Sequence, residues 1–233
     1  MIVSPKFDNL IDRLNNKVSM SKTPVPGFIM GLSGTDSIVT FILLYETMRL
    51  RGELSAQRVR GDHYVEGINP GWFQTKVIPW LRKRCPDANI NVRYTLTGIN
   101  DDESRWATLT REANNGNYWI ASAVNCTEKN LGTYSIVNKS ASIWPIGNVW
   151  KTDVMEHCKM LSVPKVAMDM ARLPDCLCGR DELAAENLEL IDEILQYRVD
   201  PTKYDPELLK KMIEYVKDTK DLYGFKDRTP YLV

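Results

Sequence analysis

The sequence predicts an α/β fold in which a parallel sheet is flanked by helices and a helical part ends the chain. Three observations predict it. Runs of β character at 28–32, 90–96 and 118–124 alternate with runs of helical period at 38–50, 72–84 and 104–113. A glycine-containing turn, Gly31 to Ser37, joins the first apolar strand directly to an apolar helix. Beyond residue 152 the pattern is mostly helical. Such alternation builds a parallel sheet covered on both faces and places ligands at the carboxyl ends of its strands.

Phe7, Leu10, Ile11, Leu14 and Val18 fall on one face of a first amphipathic helix, which the Thr23-Pro24-Val25-Pro26-Gly27 segment ends. Phe28 to Leu32 is the first strand. Ile38 to Leu50 is apolar enough for a helix buried on most sides, and Arg51-Gly52 supplies a basic last turn and a terminating glycine. Residues 56–65 are read as the next strand, although their charges suit one poorly. Trp72 to Arg84 is a helix with Pro79 as a flaw inside it. Ile90 to Leu96 is a strand, Ser104 to Ala113 a helix, and Tyr118 to Val124 a buried strand. Helices over Thr152–Leu161, Glu186–Arg198 and Pro206–Lys220 follow, with a loop at 173–179 and an extended tail to Val233. One domain over 1–233 is expected, with a helical extension at 180–233.

Thirty basic and thirty acidic side chains cancel, so net charge gives no sign of a nucleic-acid surface or a polyacidic partner. An anionic ligand has to be met locally. No apolar run approaches the roughly 20 residues of a membrane helix, and Met1 to Lys6 lacks the layout of a signal peptide. A soluble, cytoplasmic protein is expected. Five scattered cysteines, at 85, 126, 158, 176 and 178, read as free thiols, since Cys176-x-Cys178 has no second pair at zinc spacing.

The turn carries the chemistry. Glycines at the amino end of a helix expose backbone N–H groups that suit a phosphate oxygen, and Ser33, Thr35 and Ser37 add hydroxyl donors. Asp36 would repel a phosphate unless a divalent metal sits between them, so the mixture suggests Mg-bound nucleotide. No lysine follows the glycines as in the Walker pattern, and G-x-G-x-x-G is absent. The same residues also suit an ordinary strand-to-helix turn capped by Asp36 or Ser37.

Ser33-Gly34-Thr35-Asp36-Ser37 resembles the S-G-G-x-D-S pyrophosphate loop of the N-type ATP pyrophosphatases, shortened by one residue. Within that superfamily, Pro145-Ile146-Gly147-Asn148-Val149-Trp150-Lys151-Thr152-Asp153-Val154 resembles the P-L-G-D-L-Y-K-T-Q-V run of NAD synthetases. Leu161-Ser162-Val163-Pro164, Arg180-Asp181-Glu182-Leu183, Leu190 to Leu195, Asp205 to Val216 and Lys226-x-Arg228-x-Pro230 resemble its later segments in order. The resemblance implies a Rossmann-like domain of the adenine nucleotide alpha-hydrolase type and an ammonia-dependent ligase that adenylates deamido-NAD and amidates it. By position, it implies that Gly31, Ser33, Gly34, Thr35, Asp36 and Ser37 hold the ATP pyrophosphate, that Asp36 and Glu128 face Mg²⁺, and that Lys151 contacts the phosphates. It assigns the acceptor to Arg105 and Lys226 and implies a homodimer, and Lys139 is expected to serve the acceptor where Ile136 cannot. The 233 residues leave no room for a glutaminase domain, so ammonia is expected free or from a partner.

The acceptor half departs from that pattern. Ile136 stands where the family has lysine, Ser142 where it has aspartate and Ala123 where it has threonine, and the N-I-Q-A-R run is missing. Deamido-NAD with altered contacts, another carboxylate or base, and nucleotide binding without turnover therefore all stand as readings. His63 is expected in a surface loop and His157 as a structural residue in a helix. The six tryptophans are expected in cores or interfaces, and the Lys- and Glu-rich stretch 203–221 on a solvated helix face.

Overall fold

The computed structural model describes residues 5–21, 27–66, 71–95, 102–173 and 181–228. Four parallel strands, β1 (Phe28–Gly31), β2 (Val59–Glu66), β3 (Asn89–Thr95) and β4 (Trp119–Ile120), form one sheet in the order β3-β2-β1-β4. The chain runs outward from β1 in one direction and then returns to its other side. That reversal opens a crevice at the carboxyl ends of β1 and β4, where the turn at Ser33 lies.

One sheet face carries most of the core. The helix α1 (Pro5–Ser19) lays Phe7, Ile11, Leu14 and Val18 against α2 (Thr35–Arg49), the spacing expected from sequence. In α2 every residue from Ser37 to Met48 is buried, because sheet, α1 and α7 (Lys151–Met160) surround it. His157 of α7 is buried edge-on against Phe7, with ring centroids 5.3 Å apart, in the structural role expected.

The opposite face is thinner. The helix α5 (Asp102–Gly116) covers it with a small cluster of Leu109 and Ala113 against Ile29 and Ile120. Beside that cluster lies the reason for the charges in β2. Asp62 is fully buried and accepts from Arg60 Nε at 3.0 Å, Arg60 Nη2 at 3.1 Å, Asn91 Nδ2 at 2.9 Å and Arg93 Nε at 2.7 Å. Glu112 of α5 takes Arg60 Nη1 at 3.0 Å. Alternate residues of the strand face the other way, and there Gly61 makes room for α2. A Cβ on Gly61 would sit 2.5 Å from Leu32 Cδ1 and 2.8 Å from Phe41 Cε2.

Several expected boundaries shift for local reasons. Pro79 cannot donate to the preceding turn, and the chain accommodates it with a wider π turn at Phe73–Val77 before α4 (Ile78–Arg84). The expected strand 118–124 pairs only over Trp119–Ile120, with one further bridge from Ala121 to Ile143, because the chain then leaves the sheet for the crevice. A short helix α3 (Glu53–Ala56) precedes β2, and further short helices, α6 (Cys126–Leu131) and α8 (Lys165–Met170), were not expected from periodicity. The expected helix 186–198 is the shorter α10 (Leu188–Leu195), and a separate short helix, α9 (Glu182–Glu186), precedes it across Asn187. Asp205 caps α11 (Pro206–Tyr223), whose Met212 and Val216 pack with Leu190, Ile191 and Leu131 while its charged face meets solvent. Gly224–Arg228 forms a 3₁₀ turn where an extended tail was expected.

Cys85, Cys126 and Cys158 are free thiols. The expectations for Cys176, Cys178 and Pro230 fall outside the described residues. No described helix is long and apolar enough to cross a membrane.

Asp62→Asn should cost roughly 3–5 kcal/mol in chemical unfolding, because it leaves Arg60 and Arg93 without their shared buried anion. Burial holds the His157 imidazole below its ordinary pKa, against the pull of Asp153 and Glu156 and with the help of Lys6. The unfolded chain therefore takes up the proton first, and stability falls as pH drops below about 6.5. His157→Phe should lessen the fall in melting temperature between about pH 7.5 and 5.5; an equal fall in both proteins would contradict this.

Candidate functional site

The loop between β1 and α2 begins with Leu32, whose amide extends the sheet by donating to Asp62 O at 2.9 Å. Ser33 and Gly34 then turn outward. A Cβ on Gly34 would meet nothing within 4 Å, so the glycine leaves the backbone open to approach rather than relieving a clash. The amides of Ser33 and Gly34 both donate to Ser37 Oγ, at 2.9 and 3.0 Å, and that hydroxyl donates to Gly34 O at 2.8 Å. Ser37 thus draws two consecutive amides to one point, as an anion-binding turn does.

Asp36 sits in the first turn of α2, where the helix dipole favours a carboxylate. Its Oδ1 accepts from Asn125 Nδ2 at 2.8 Å, and its Oδ2 is ion-paired with Lys151 Nζ. Lys151 Nζ also donates to Thr35 Oγ1 at 3.1 Å. Lys151 is only 5 % exposed although it is the first residue of α7. Side chains of a helix lean toward its amino end, and that lean carries the ammonium back to the α2 turn.

Asn125 joins a second carboxylate to this group. Its side chain caps α6 by accepting from the Glu128 amide at 2.9 Å, and Glu128 Oε2 accepts from the Asn125 amide at 3.2 Å. Glu128 therefore holds the third position of a capping box, while Asn125 touches both it and Asp36. Among the described residues no three His, Cys, Asp or Glu side chains gather as a metal site. Two carboxylates are a donor type that Mg²⁺ takes, commonly with nucleotide phosphates and water completing the shell, and here Asp36 is engaged by Asn125 and Lys151 while Glu128 accepts from the Asn125 amide.

A cavity of about 440 Å³ opens beside the loop at the carboxyl ends of β1, β2 and β4. Gly31, Ser33 and Ser37 form part of its wall, with Ser122 and Asn138 on one side and Arg105 and Trp106 of α5 on another. Trp72, Phe73 and His63 make an aromatic wall. The imidazole of His63 stacks on Phe73 with centroids 4.5 Å apart and planes 19° from parallel. Its Nδ1 lies 2.8 Å from Leu32 O, so Nδ1 carries the proton and Nε2 is the acceptor. Burial lowers its pKa and favours this neutral form. His63 is thus a half-buried residue of β2 in the cavity wall, not a surface-loop histidine.

The residues singled out from sequence divide into three groups. Thr35, Asp36 and Lys151 meet directly, and Asn125 brings Glu128 to them. Gly31, Ser33, Ser37 and Arg105 line the cavity, which Gly34 approaches by its backbone. Lys139 lies half-buried in the 3₁₀ turn Ile136–Ser140. Lys226 is turned elsewhere: its Nζ donates to Gly132 O at 3.0 Å and Tyr134 O at 2.8 Å. Sequence reasoning missed Asn125, although Asn125-x-x-Glu128 is a legible capping signature. It also missed Thr127 and Asp192, whose partners are distant in the chain.

No known family model matches the sequence, and no curated protein matches it. Solved structures do match the fold. An NH3-dependent NAD synthetase from Campylobacter jejuni superposes with a TM-score of 0.73 at 17 % identity, covering 100 % of this chain and 99 % of the other. An NMN synthetase from Francisella tularensis gives 0.71 at 19 % identity, covering 99 % and 98 %. An NAD+ synthetase from Burkholderia pseudomallei gives 0.61 at 14 % identity, covering 99 % and 91 %. The parallel sheet, the loop after its first strand and the helices around them are thus arranged as in NAD synthetase and NMN synthetase structures, the adenine nucleotide alpha-hydrolase fold.

Proposed function

We propose that the chain is an ATP-dependent, AMP-forming amide ligase that activates the carboxylate of deamido-NAD and passes its acyl group to ammonia. The observation that carries this reading is the meeting of Lys151, Thr35, Asp36 and Asn125 at the head of α2, beside a turn whose two amides converge on Ser37 Oγ and beside a cavity. A nucleotide phosphate chain placed at the turn would put its negative charge within reach of Lys151.

In the first step a carboxylate oxygen attacks the α-phosphorus of ATP, the bond to the bridging oxygen breaks, and pyrophosphate leaves. Lys151 offsets the charge that grows on that leaving group. In the second step ammonia attacks the acyl carbon, the bond to AMP breaks, and the nitrogen loses a proton to give the amide. No protein nucleophile is needed, so positioning of the two substrates supplies much of the rate. Mg²⁺ held by Asp36 and Glu128 would supply further charge neutralisation at the phosphates. Phe73, Trp72 and the acceptor Nε2 of His63 suit a flat base that carries an amino donor. A homodimer belongs to the same proposal.

A second reading, in which the acceptor is a nicotinate mononucleotide, has one observation in its favour. Lys226 is held by two backbone carbonyls, and Ile136 presents an apolar side chain, so this half carries fewer cations for a second nucleotide. The NMN synthetase likeness is consistent with it.

Pyrophosphate release from ATP with Mg²⁺ and ammonium should require an acceptor, with NAD or NMN appearing according to which acceptor serves. ATP binding without release in the presence of either acceptor would overturn the ligase reading. Lys151→Met and Asp36→Asn should each lower the release rate by at least about 100-fold. Chelation of Mg²⁺ should stop it, and unchanged release after chelation would remove the metal from the site.

A further inference from the structure

The first backbone N–H groups of a helix have no partner within it and need acceptors from outside. In α7 the flanking residue, Trp150, has extended backbone angles and no side-chain acceptor to offer. The acceptors come from elsewhere. The amide of Lys151 donates to Thr127 Oγ1 at 2.9 Å, and the amide of Thr152 donates to Asp192 Oδ2 at 2.9 Å. The Thr127 hydroxyl has a single hydrogen, which it gives to Asp192 Oδ1 at 2.5 Å. With Asp192 as the carboxylate, the Thr127 oxygen is the acceptor for Lys151 and the directions of all three bonds follow; burial pushes the Asp192 pKa up, and the hydrogen bonds from Thr127 and Thr152 oppose that rise.

Asp192 is 1 % exposed and Thr127 is 5 % exposed. Asp192 comes from α10, between the apolar residues Leu190, Ile191 and Ile194. A carboxylate in such surroundings is costly unless its oxygens are engaged. Here both are engaged at the first turn of the helix that begins with Lys151. A negative charge at a helix amino end is also favoured by the dipole.

We propose that Asp192, acting through Thr127, is a positioning residue for Lys151: Thr127 from α6 and Asp192 from α10 together cap α7 and set where the ammonium of Lys151 reaches. The proposal rests on the role given to Lys151 above, but the geometry behind it is independent of the acceptor. Lys151 occupies the first position of α7, and its side chain runs back to Thr35 and Asp36. Where the first turn starts decides whether the ammonium meets the phosphate turn. Asp192 and Thr127 themselves need touch no substrate.

The test uses the full chain as wild type, Thr127→Val, Thr127→Ser and Asp192→Asn. Amide hydrogen exchange at Lys151 and Thr152 is followed by NMR, and Lys151 Nζ modification by an amine-acylating reagent is read against exposed Lys210. Thr127→Val should speed exchange at Lys151 by at least about tenfold and raise its reactivity toward that of Lys210, while Thr127→Ser should restore exchange to within about threefold of wild type. Asp192→Asn should speed exchange at both amides by at least about tenfold; if it fails to fold, the two Thr127 variants decide. In turnover, Thr127→Val should lower kcat by about tenfold and move the KM for ATP by less than about threefold. A folded Thr127→Val with wild-type exchange and wild-type Lys151 reactivity would overturn the proposal, as would a Thr127→Ser in which Lys151 exchanges at least about tenfold faster than in wild type. If no acceptor gives turnover, the function reading fails but exchange and labelling still decide the positioning; if turnover falls while both stay at wild-type values, the positioning fails and the function reading stands.

Discussion

The ion pair between Asp36 and Lys151 is the constraint around which the site is arranged. A carboxylate at the head of a helix packed on nearly every side, and an ammonium that is 5 % exposed, are each costly alone. Bringing them together requires α2 and α7, separated by more than a hundred residues, to start at adjacent points. Asn125 supplies the remaining bond to Asp36, which draws the chain out of the sheet after β4 and starts α6 there. The short fourth strand, the capping box at Glu128 and the buried lysine thus have one cause.

The regular parts of the fold were legible because they rest on local periodicity. Phe7, Ile11, Leu14 and Val18 mark their own helix, and α2 declares itself by unbroken apolar character between a glycine turn and Arg51-Gly52. The second strand was less legible because Arg60, Asp62 and Arg93 are charges that neutralise one another only in three dimensions. Pro79 was read as a flaw, but spacing could not tell that a π turn would absorb it. In the site, the loop and Lys151 were visible through their pattern. Asn125, Thr127 and Asp192 act on partners 24 to 89 positions away, and no periodicity encodes such pairs. Glu128 shows the converse: its spacing fits both a metal carboxylate and the third residue of a helix cap, and the cap is what its hydrogen bonds describe.

The structure also gives physical meaning to one departure from the family pattern, Ser142, and to one match with it, Lys226. Ser142 Oγ accepts from the Ile120 amide at 3.1 Å, and the Ser142 amide donates to Ile120 O at 2.8 Å. The residue is thus stitched to the edge of β4 by its side chain and its backbone together. Lys226 fastens the 3₁₀ turn after α11 to the loop that follows α6, with Tyr223 beneath its ammonium at 4.7 Å. Both positions serve the scaffold, whereas Arg105, Trp72 and Phe73 line the cavity.

The unequal covering of the sheet has a consequence for how this molecule can diverge. The face under α2 is a continuous apolar core, and changes there are felt throughout the turn at 32–37. The face under α5 has a handful of apolar contacts and a ring of mutually compensating charges, and α5 is also the helix that brings Arg105 and Trp106 to the cavity. Salt links accept small rotations that interlocked methyl groups do not. One side of the sheet can therefore change the cavity wall that holds Arg105 and Trp106 while the other keeps the meeting of Asp36 and Lys151 in place.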